Sequence, residues 1–297
     1  MLINFYLIKK KLINDPFKKV INKLVNQKYN IYLVSDSTGE TLDRIFLSIK
    51  SQFSNFVYNK KEYSFVRTEQ QILKILSDCQ IEKNSIILYT IVETKLAKFI
   101  SRESEKLNIP CFGILGSLIL NFSKLLNQKA IHKPSAQHVL DDDYYKRIEA
   151  IQFTMIHDDG KKTDDISQAD IVLLGVSRTS KTPTSIYLSN RGFKTVNIPL
   201  VLKQEIPGEI KKKDFKPCVI GLYADPERLH DIRRNRVAIS NEKGISSYTN
   251  LENITEEVNN SQKLFKQFNW PIIDVTRKSV EETAASIIKI YEIKKNK

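Results

Sequence analysis

Two periodicities alternate along this chain. From Tyr29, NIYLV is a short apolar run, SDSTG is turn chemistry, and ETLDRIFLSIKSQF places Leu42, Ile45, Phe46, Ile49 and Phe53 on one helical face. That order predicts strand, turn and helix, with Ser37 and Glu40 spaced as a capping box at the helix start. The alternation continues through a strand at YSFV (Tyr63 to Val66), a helix around Glu69 to Ser77, a strand at Ser85 to Val92 and a helix over Thr94 to Asn108. The strand-like PCFGIL and a helix around Leu118 to Leu126 follow. Repeated strand and helix segments of this kind predict a mostly parallel sheet flanked by helices.

The stretch Asn127 to Tyr145 breaks the rhythm with Pro134, polar residues and three consecutive aspartates, and reads as an interdomain connection. A second series then begins. ADIVLLG is a buried strand, a helix ends near Gly192, and FKTVNIPLV, KPCVIGL and WPIIDV are further strands. DPERLHDIRRNR opens a helix with Asp225 as its cap and Pro226 in its first turn. SVEETAASIIKIYEIKK is a closing helix with a capping box of Ser279 and Glu282. The expected fold class is α/β in two domains, each a mostly parallel sheet flanked by helices. Residues 1–28 form a basic extension that includes one helix (Pro16 to Val25), 29–140 a first domain and 141–297 a second.

With 297 residues and 41% hydrophobic content, the chain can bury two cores. Its longest apolar runs are too short to cross a bilayer as helices, and MLINFYLI stands ahead of KKK, the reverse of a secretory signal. A soluble, cytoplasmic protein is expected. Cys79, Cys111 and Cys218 are far apart and lack metal-ligand spacing, so they read as reduced and buried. A net charge of +13 attracts phosphate backbones in general. The excess is spread along the chain, without RNP, zinc-finger or helix-turn-helix signatures, and predicts no specific nucleic-acid partner.

Candidate chemistry concentrates in GVSRTSKTPTS, Gly175 to Ser185. It nearly spells the phosphate-cradling pattern G-x-x-x-x-G-K-[ST], with Ser180 in place of the second glycine. A strand precedes it and a helix beginning near Lys181 follows, the context in which backbone N–H groups and a helix N-terminus converge on an anion. Gly175, Val176, Ser177, Arg178, Thr179, Ser180, Lys181 and Thr182 are the candidate nucleotide-binding residues. Lys181 would reach the terminal phosphate, and Thr182 would offer its hydroxyl to Mg. The bland alternative is a polar strand-to-helix turn that happens to hold a lysine. HDDG (His157 to Gly160) offers Asp158 and Asp159 for base or metal chemistry, or is a solvated turn. Arg233 and Arg236 are spaced to clamp phosphate oxygens, or face water along a helix. SDSTGET is either a second anion-binding turn or well-capped structure.

With these residues in view, the chain resembles the pyruvate, phosphate dikinase regulatory protein family, whose sister branch regulates phosphoenolpyruvate synthase. The resemblance runs from about Ile31 to the last helix. It is carried by SDSTGET, LDDDYYKRIEAIQFTMIHDDG, GVSRTSKTPTS, GLYADPERLHDIRRNR and PIIDVTRKSVEETA, and five ordered motifs are far more specific than one loop. SDSTGET and IIDVTRKSVEETA look more like the dikinase-directed branch. Tyr145 and Tyr223-Ala224 depart slightly from the usual pattern. The serine form of the loop is usual in this family, which implies a P-loop kinase-like second domain that binds ADP through Gly175 to Thr182.

The resemblance further implies a bifunctional enzyme. ADP would donate a phosphoryl group to a dikinase threonine, and inorganic phosphate would remove that phosphate as pyrophosphate. Lys181 and one of Asp158 or Asp159 would be catalytic, with Mg as the metal and the dikinase as partner; a homo-oligomer is compatible with the sequence. A regulatory kinase and phosphorylase of phosphoenolpyruvate synthase, a small-molecule P-loop kinase and a nucleotide-sensing module without chemistry are the competing readings.

Overall fold

The computed structural model describes residues 27–137, 141–201, 205–240 and 248–296. The expected helix at Pro16–Val25 lies outside them. Contacts divide the chain into two units, Met1–His138 and Val139–Lys297. Among the described residues, no helix is long and apolar enough to cross a membrane.

In the first unit, β1 (Tyr29–Ser35), β2 (Tyr58–Tyr63), β3 (Ser85–Thr90) and β4 (Cys111–Gly113) form a parallel sheet in the order β2-β1-β3-β4. Its helices are α1 (Glu40–Lys50), α2 (Glu69–Ile81), α3 (Thr94–Lys106) and α4 (Gly116–Leu126). Side chains of β1 alternate between two cores, as the pleat requires. Ile31 and Leu33 pack with Leu42 and Phe46 of α1, whereas Tyr32 and Val34 pack with Ile72 and Ile75 of α2 and Ile100 of α3. Only the first half of the expected α1 stripe is buried; Ile49 and Phe53 are exposed.

Two local expectations fail here for identifiable reasons. The residue before α1 is Gly39, in the left-handed region at φ 86°, and no side chain caps the helix. Ser37 is therefore too early to cap it. Its N–H donates to Ser35 Oγ at 3.1 Å, and its own hydroxyl accepts from Ser135. The strand expected at YSFV instead ends at Tyr63, because Phe65 turns the chain at φ 55°. β2 itself reads YNKKEY, an edge strand whose lysines pair with Asp43 and Glu82. Charged residues are a common feature of exposed edges and hide the strand from an apolar pattern.

The second unit repeats the same strand order. β5 (Ile171–Gly175), β6 (Thr195–Pro199), β7 (Cys218–Tyr223) and β8 (Ile272–Asp274) are parallel in the order β6-β5-β7-β8. The helices are α5 (Asp142–Ile156), α6 (Lys181–Ser189), α7 (Pro226–Ser240), α8 (Leu251–Gln267) and α9 (Val280–Lys295). The α/β fold of two parallel four-stranded sheets flanked by helices is thus as expected. β5 is buried at every position, which explains its continuous apolar run. Because the chain goes from β5 outward to β6 and then crosses to β7, its switch point lies at the carboxyl ends of β5 and β7, where open α/β sheets bind ligands.

The aspartates read as linker begin a helix: Asp141 accepts the Tyr144 N–H at 2.9 Å, and Asp142 and Asp143 occupy the first turn of α5. Asp225 accepts from the Arg228 N–H, and Ser279 with Glu282 forms the capping box of α9. α8 had no counterpart in the sequence reading, although Ile254, Val258, Ser261 and Phe265 recur on one face after an Asn250 cap. The three cysteines are free, with Cys79 and Cys218 buried and Cys111 only half-buried.

α8 approaches β7 so closely that a Cβ on Gly221 would run into the Phe265 ring. Phe265 is itself fully buried. Gly221→Ala is expected to lower unfolding stability by about 1–3 kcal/mol through overpacking, with partial recovery when Phe265→Leu is added. Urea unfolding of both variants checks this; an unchanged midpoint for the single variant contradicts the close approach.

Candidate active site

β5 delivers the chain to the switch point at Gly175. A Cβ there would meet Leu222 O of β7 at 2.6 Å and Thr179 Oγ1 at 2.7 Å. The glycine is required by this close approach rather than by a left-handed φ. Beyond it, Arg178 and Ser180 take φ of 75° and 55°, while Ser177, Thr179 and Lys181 do not take positive values. Backbone that alternates in this way turns successive N–H groups toward one side, forming an anion-binding nest. Ser180 thus adopts the conformation that glycine would make easy, and α6 starts directly after it. Thr179, fully buried, braces the turn by donating its hydroxyl to Val176 O at 2.9 Å.

Lys181 is 6% exposed, and its Nζ donates to Val176 O at 2.9 Å. Burial lowers its pKa from the usual 10.5 to about 8, against the attraction of Asp159 and with the repulsion of Arg178 and Arg233. Thr182 donates its hydroxyl to Asp158 Oδ1 at 3.1 Å. That carboxylate oxygen also accepts from Asn197 Nδ2, while Asn197 Oδ1 receives the Asp159 N–H at 3.0 Å. The HDDG turn is a short 3-10 helix, Asp158–Gly160, in which Asp159 lies in the left-handed region at φ 59°. His157 belongs to the framework. It is buried, stacked on Phe153, and its Nε2 meets Asp165 at 2.7 Å. The His157 hydrogen bond, with a further one from Lys162, holds the Asp165 carboxyl down at about 2.

A cavity of about 610 Å³ opens over the loop, within the usual range for small-molecule sites. Ser177, Arg178, Ser180, Lys181 and Thr182 line it, together with Asp159 from the aspartate turn. Gly175, Val176 and Thr179 support the turn without lining the cavity, and Asp158 stands behind Thr182. The two arginines of α7 separate. Arg233 lines the cavity, is fully buried and pairs with Glu257 at 2.7 Å, whereas Arg236 is exposed and does not line it. A solvated face therefore describes Arg236, while Arg233 points inward from the same helix.

Three lining or supporting residues were absent from the sequence reading. Tyr248 accepts from Arg178 Nε at 3.1 Å, shares a hydrogen bond of 3.1 Å with the Ser177 hydroxyl, and stacks under the Arg233 guanidinium at 4.8 Å. Burial pushes its phenol pKa up, but the hydrogen bonds with Ser177 and Arg178 outweigh this and leave it below the ordinary value. Glu257 came from the unread α8. Asn197 sits in an apolar strand, where a polar residue between Val196 and Ile198 was itself the available signal.

The profile of the kinase/pyrophosphorylase family matches residues 31–288. The chain belongs to that family. It is 60% identical over 272 residues to a protein of Pelagibacter ubique (strain HTCC1062), covering 92% of this chain and 99% of that one. It is 42% identical over 264 residues to a protein of Bradyrhizobium sp. (strain ORS 278), covering 89% and 94%. For a protein of Bartonella bacilliformis the identity is 40% over 262 residues, covering 88% and 93%. All three are provisionally named pyruvate, phosphate dikinase regulatory proteins. The family resemblance carried by the five sequence motifs is therefore correct, and kinase or phosphotransferase chemistry is the family's activity.

Arg233→Ala is expected to lower stability by about 3 kcal/mol, because it leaves Glu257 in a largely buried setting without its cation. Arg236→Ala, on an exposed position, should change it by less than about 0.5 kcal/mol. Urea unfolding of the two variants side by side tests the assignment, and equal effects would contradict it.

Proposed function

We propose that this kinase/pyrophosphorylase family member regulates pyruvate, phosphate dikinase by reversible phosphorylation of a threonine, with ADP as donor and inorganic phosphate as the agent of removal. What supports the reading is the alternating loop that ends in a buried lysine, in a chain whose family is kinase/pyrophosphorylase and whose relatives carry the dikinase regulator name. In the forward direction the threonine oxygen attacks the β-phosphorus of ADP, the bond to the bridging α,β-oxygen breaks, and AMP leaves. In reverse, an oxygen of inorganic phosphate attacks the phosphothreonine, releasing threonine and pyrophosphate. Both reactions pass a phosphoryl group across one cavity.

Phosphoryl transfer depends chiefly on positioning and on offsetting charge. The nest N–H groups and Lys181 hold the β-phosphate, and Arg178 and Arg233 supply further positive charge at the cavity wall. Asp159, which lines the cavity, is the base that orients the threonine hydroxyl. Asp158, bonded to the Thr182 hydroxyl at 3.1 Å, is a supporting contact. Hydroxyl and carboxylate oxygens are the hard donors that Mg takes, so the Thr182–Asp158 pair fits that ion. When bound there, Mg would neutralise phosphate charge. A cytoplasmic location follows from the dikinase as partner.

Incubation of the protein with the dikinase and ADP should add one phosphate to a dikinase threonine, read by mass spectrometry; transfer only to small acceptors, or none, overturns the proposal. Lys181→Ala should depress phosphorylation and phosphate-dependent removal together by about 10²-fold or more. Retention of either activity at full rate contradicts one shared site.

Lys181 also gives the binding step a pH signature. Its charged form predominates below about pH 8 in the free protein, and bound phosphates favour that form, so binding takes up a proton. ADP affinity should be fully present below pH 8 and fall as pH rises through it, by up to about tenfold per pH unit. Lys181→Arg, which stays charged, should flatten the profile. Calorimetric titrations from pH 7 to 9.5 in two buffers of different ionisation enthalpy decide it, and a flat wild-type profile contradicts the assignment.

A further inference from the structure

Asn197 is a fully buried amide in the middle of β6, between Val196 and Ile198. An amide placed there costs free energy unless its polar atoms are all used. Its two arms are used on two different aspartates. Oδ1 accepts the Asp159 N–H at 3.0 Å, and Nδ2 donates to Asp158 Oδ1. Nδ2 also lies 3.4 Å from Ser185 Oγ, one turn into α6. A single side chain therefore ties the aspartate turn to the helix that follows the phosphate loop.

The tie has consequences for both carboxylates. Asp159 occupies the left-handed region at φ 59°, a conformation that disfavours a residue with a Cβ and persists where its surroundings hold it. The Asn197 carbonyl oxygen provides that hold on the Asp159 amide, and the Asp159 side chain lines the cavity. On the other arm, Asp158 Oδ1 accepts from both Asn197 and Thr182, so its Oδ2 is the carboxylate oxygen without a hydrogen-bond partner among the described residues.

We propose that Asn197 is a positioning residue of the phosphoryl-transfer site: it divides the work of the two aspartates by holding Asp158 against Thr182 and turning Asp159 into the cavity. The inference rests on the kinase reading given above and adds to it a residue that touches neither nucleotide nor acceptor. Because displacement of a reacting group by about 1 Å can lower a rate by about 10²-fold, the effect of Asn197 falls on turnover. The loop that binds the phosphates keeps its own bracing through Thr179 and Gly175.

Two substitutions separate the arms. Asn197→Ala removes both. Asn197→Asp keeps an oxygen to accept the Asp159 N–H but places a carboxylate where a donor faced Asp158, so that arm is lost and replaced by repulsion. Asn197→Ala should lower kcat for transfer to the dikinase by about 10²-fold, with ADP affinity changed by less than about threefold, and should speed hydrogen exchange at the Asp159 amide. Asn197→Asp should leave that amide protected while still lowering kcat, since the arm that held Asp158 is lost. Asn197→Ala in an Asp158→Asn, Asp159→Asn background should have little further effect on kcat, as expected for groups that act as a unit.

The proposal is overturned if Asn197→Ala keeps wild-type kcat, if it weakens ADP binding in the same proportion as kcat, or if the Asp159 exchange rate does not respond. Should wild-type protein transfer no phosphate at all, the kinase reading fails. The exchange measurement would still decide whether Asn197 holds the aspartate turn.

Discussion

The site depends on the absence of one methyl-sized group. At Gly175 the end of β5 lies so close to Leu222 of β7 that a Cβ would stand 2.6 Å from its carbonyl oxygen, and the space on the other side is taken by the Thr179 hydroxyl. Because that space is available, the chain can fold back on itself immediately after the strand. Thr179 then bonds to Val176 O, the sign of φ alternates through Ser180, and Lys181 begins its helix with its stem enclosed. A bulkier residue at this position would have to move β7 or open the turn, and the alignment of N–H groups would be lost with either.

Each cation of the site has a hydrogen-bond partner within the protein. Lys181 donates to Val176 O, Arg178 to the Tyr248 hydroxyl, and Arg233 to Glu257, Ser177 O and Tyr248 O. Any anion bound here would have to exchange one set of partners for another, and its gain would be the difference between them. The arrangement keeps three cations near one cavity without leaving any of them wholly uncompensated, which burial would otherwise penalise severely. One arginine nitrogen, Arg233 Nε, is buried without a hydrogen bond among the described residues.

The two units share one strand order yet differ in chemistry. In the first, the turn after β1 carries the buried Asp36, which accepts the Val92 N–H at 2.7 Å, and passes through Gly39 into α1. In the second, the corresponding turn carries a lysine and an arginine and is overhung by Arg233 and Tyr248. Topology brings strand ends, turns and helix starts together at one edge of each sheet. Side chains decide what that edge can hold.

Much of this was written locally. Apolar runs such as IVLLG mark strands because a parallel strand is covered on both faces, and Asp225, Ser279 and Glu282 cap helices through bonds a few residues long. The loop from Gly175 to Thr182 was legible for the same reason: turn, amides and lysine are contiguous. The charged edge strand β2, the helix α8 and the role of Gly39 were not, since each depends on what a distant segment covers or leaves bare. Arg233 and Arg236 sit three apart on one helix, and no local pattern separates the buried one from the exposed one. By itself the sequence determined the alternation of elements, the strand, turn and helix around Gly175 to Thr182, and the family. Tertiary structure alone decided that Arg233, Tyr248 and Glu257 gather at that loop and that Asn197 holds the aspartate turn beside it, because hydrogen bonds and burial between residues tens of positions apart exist only once the sheet has brought them together.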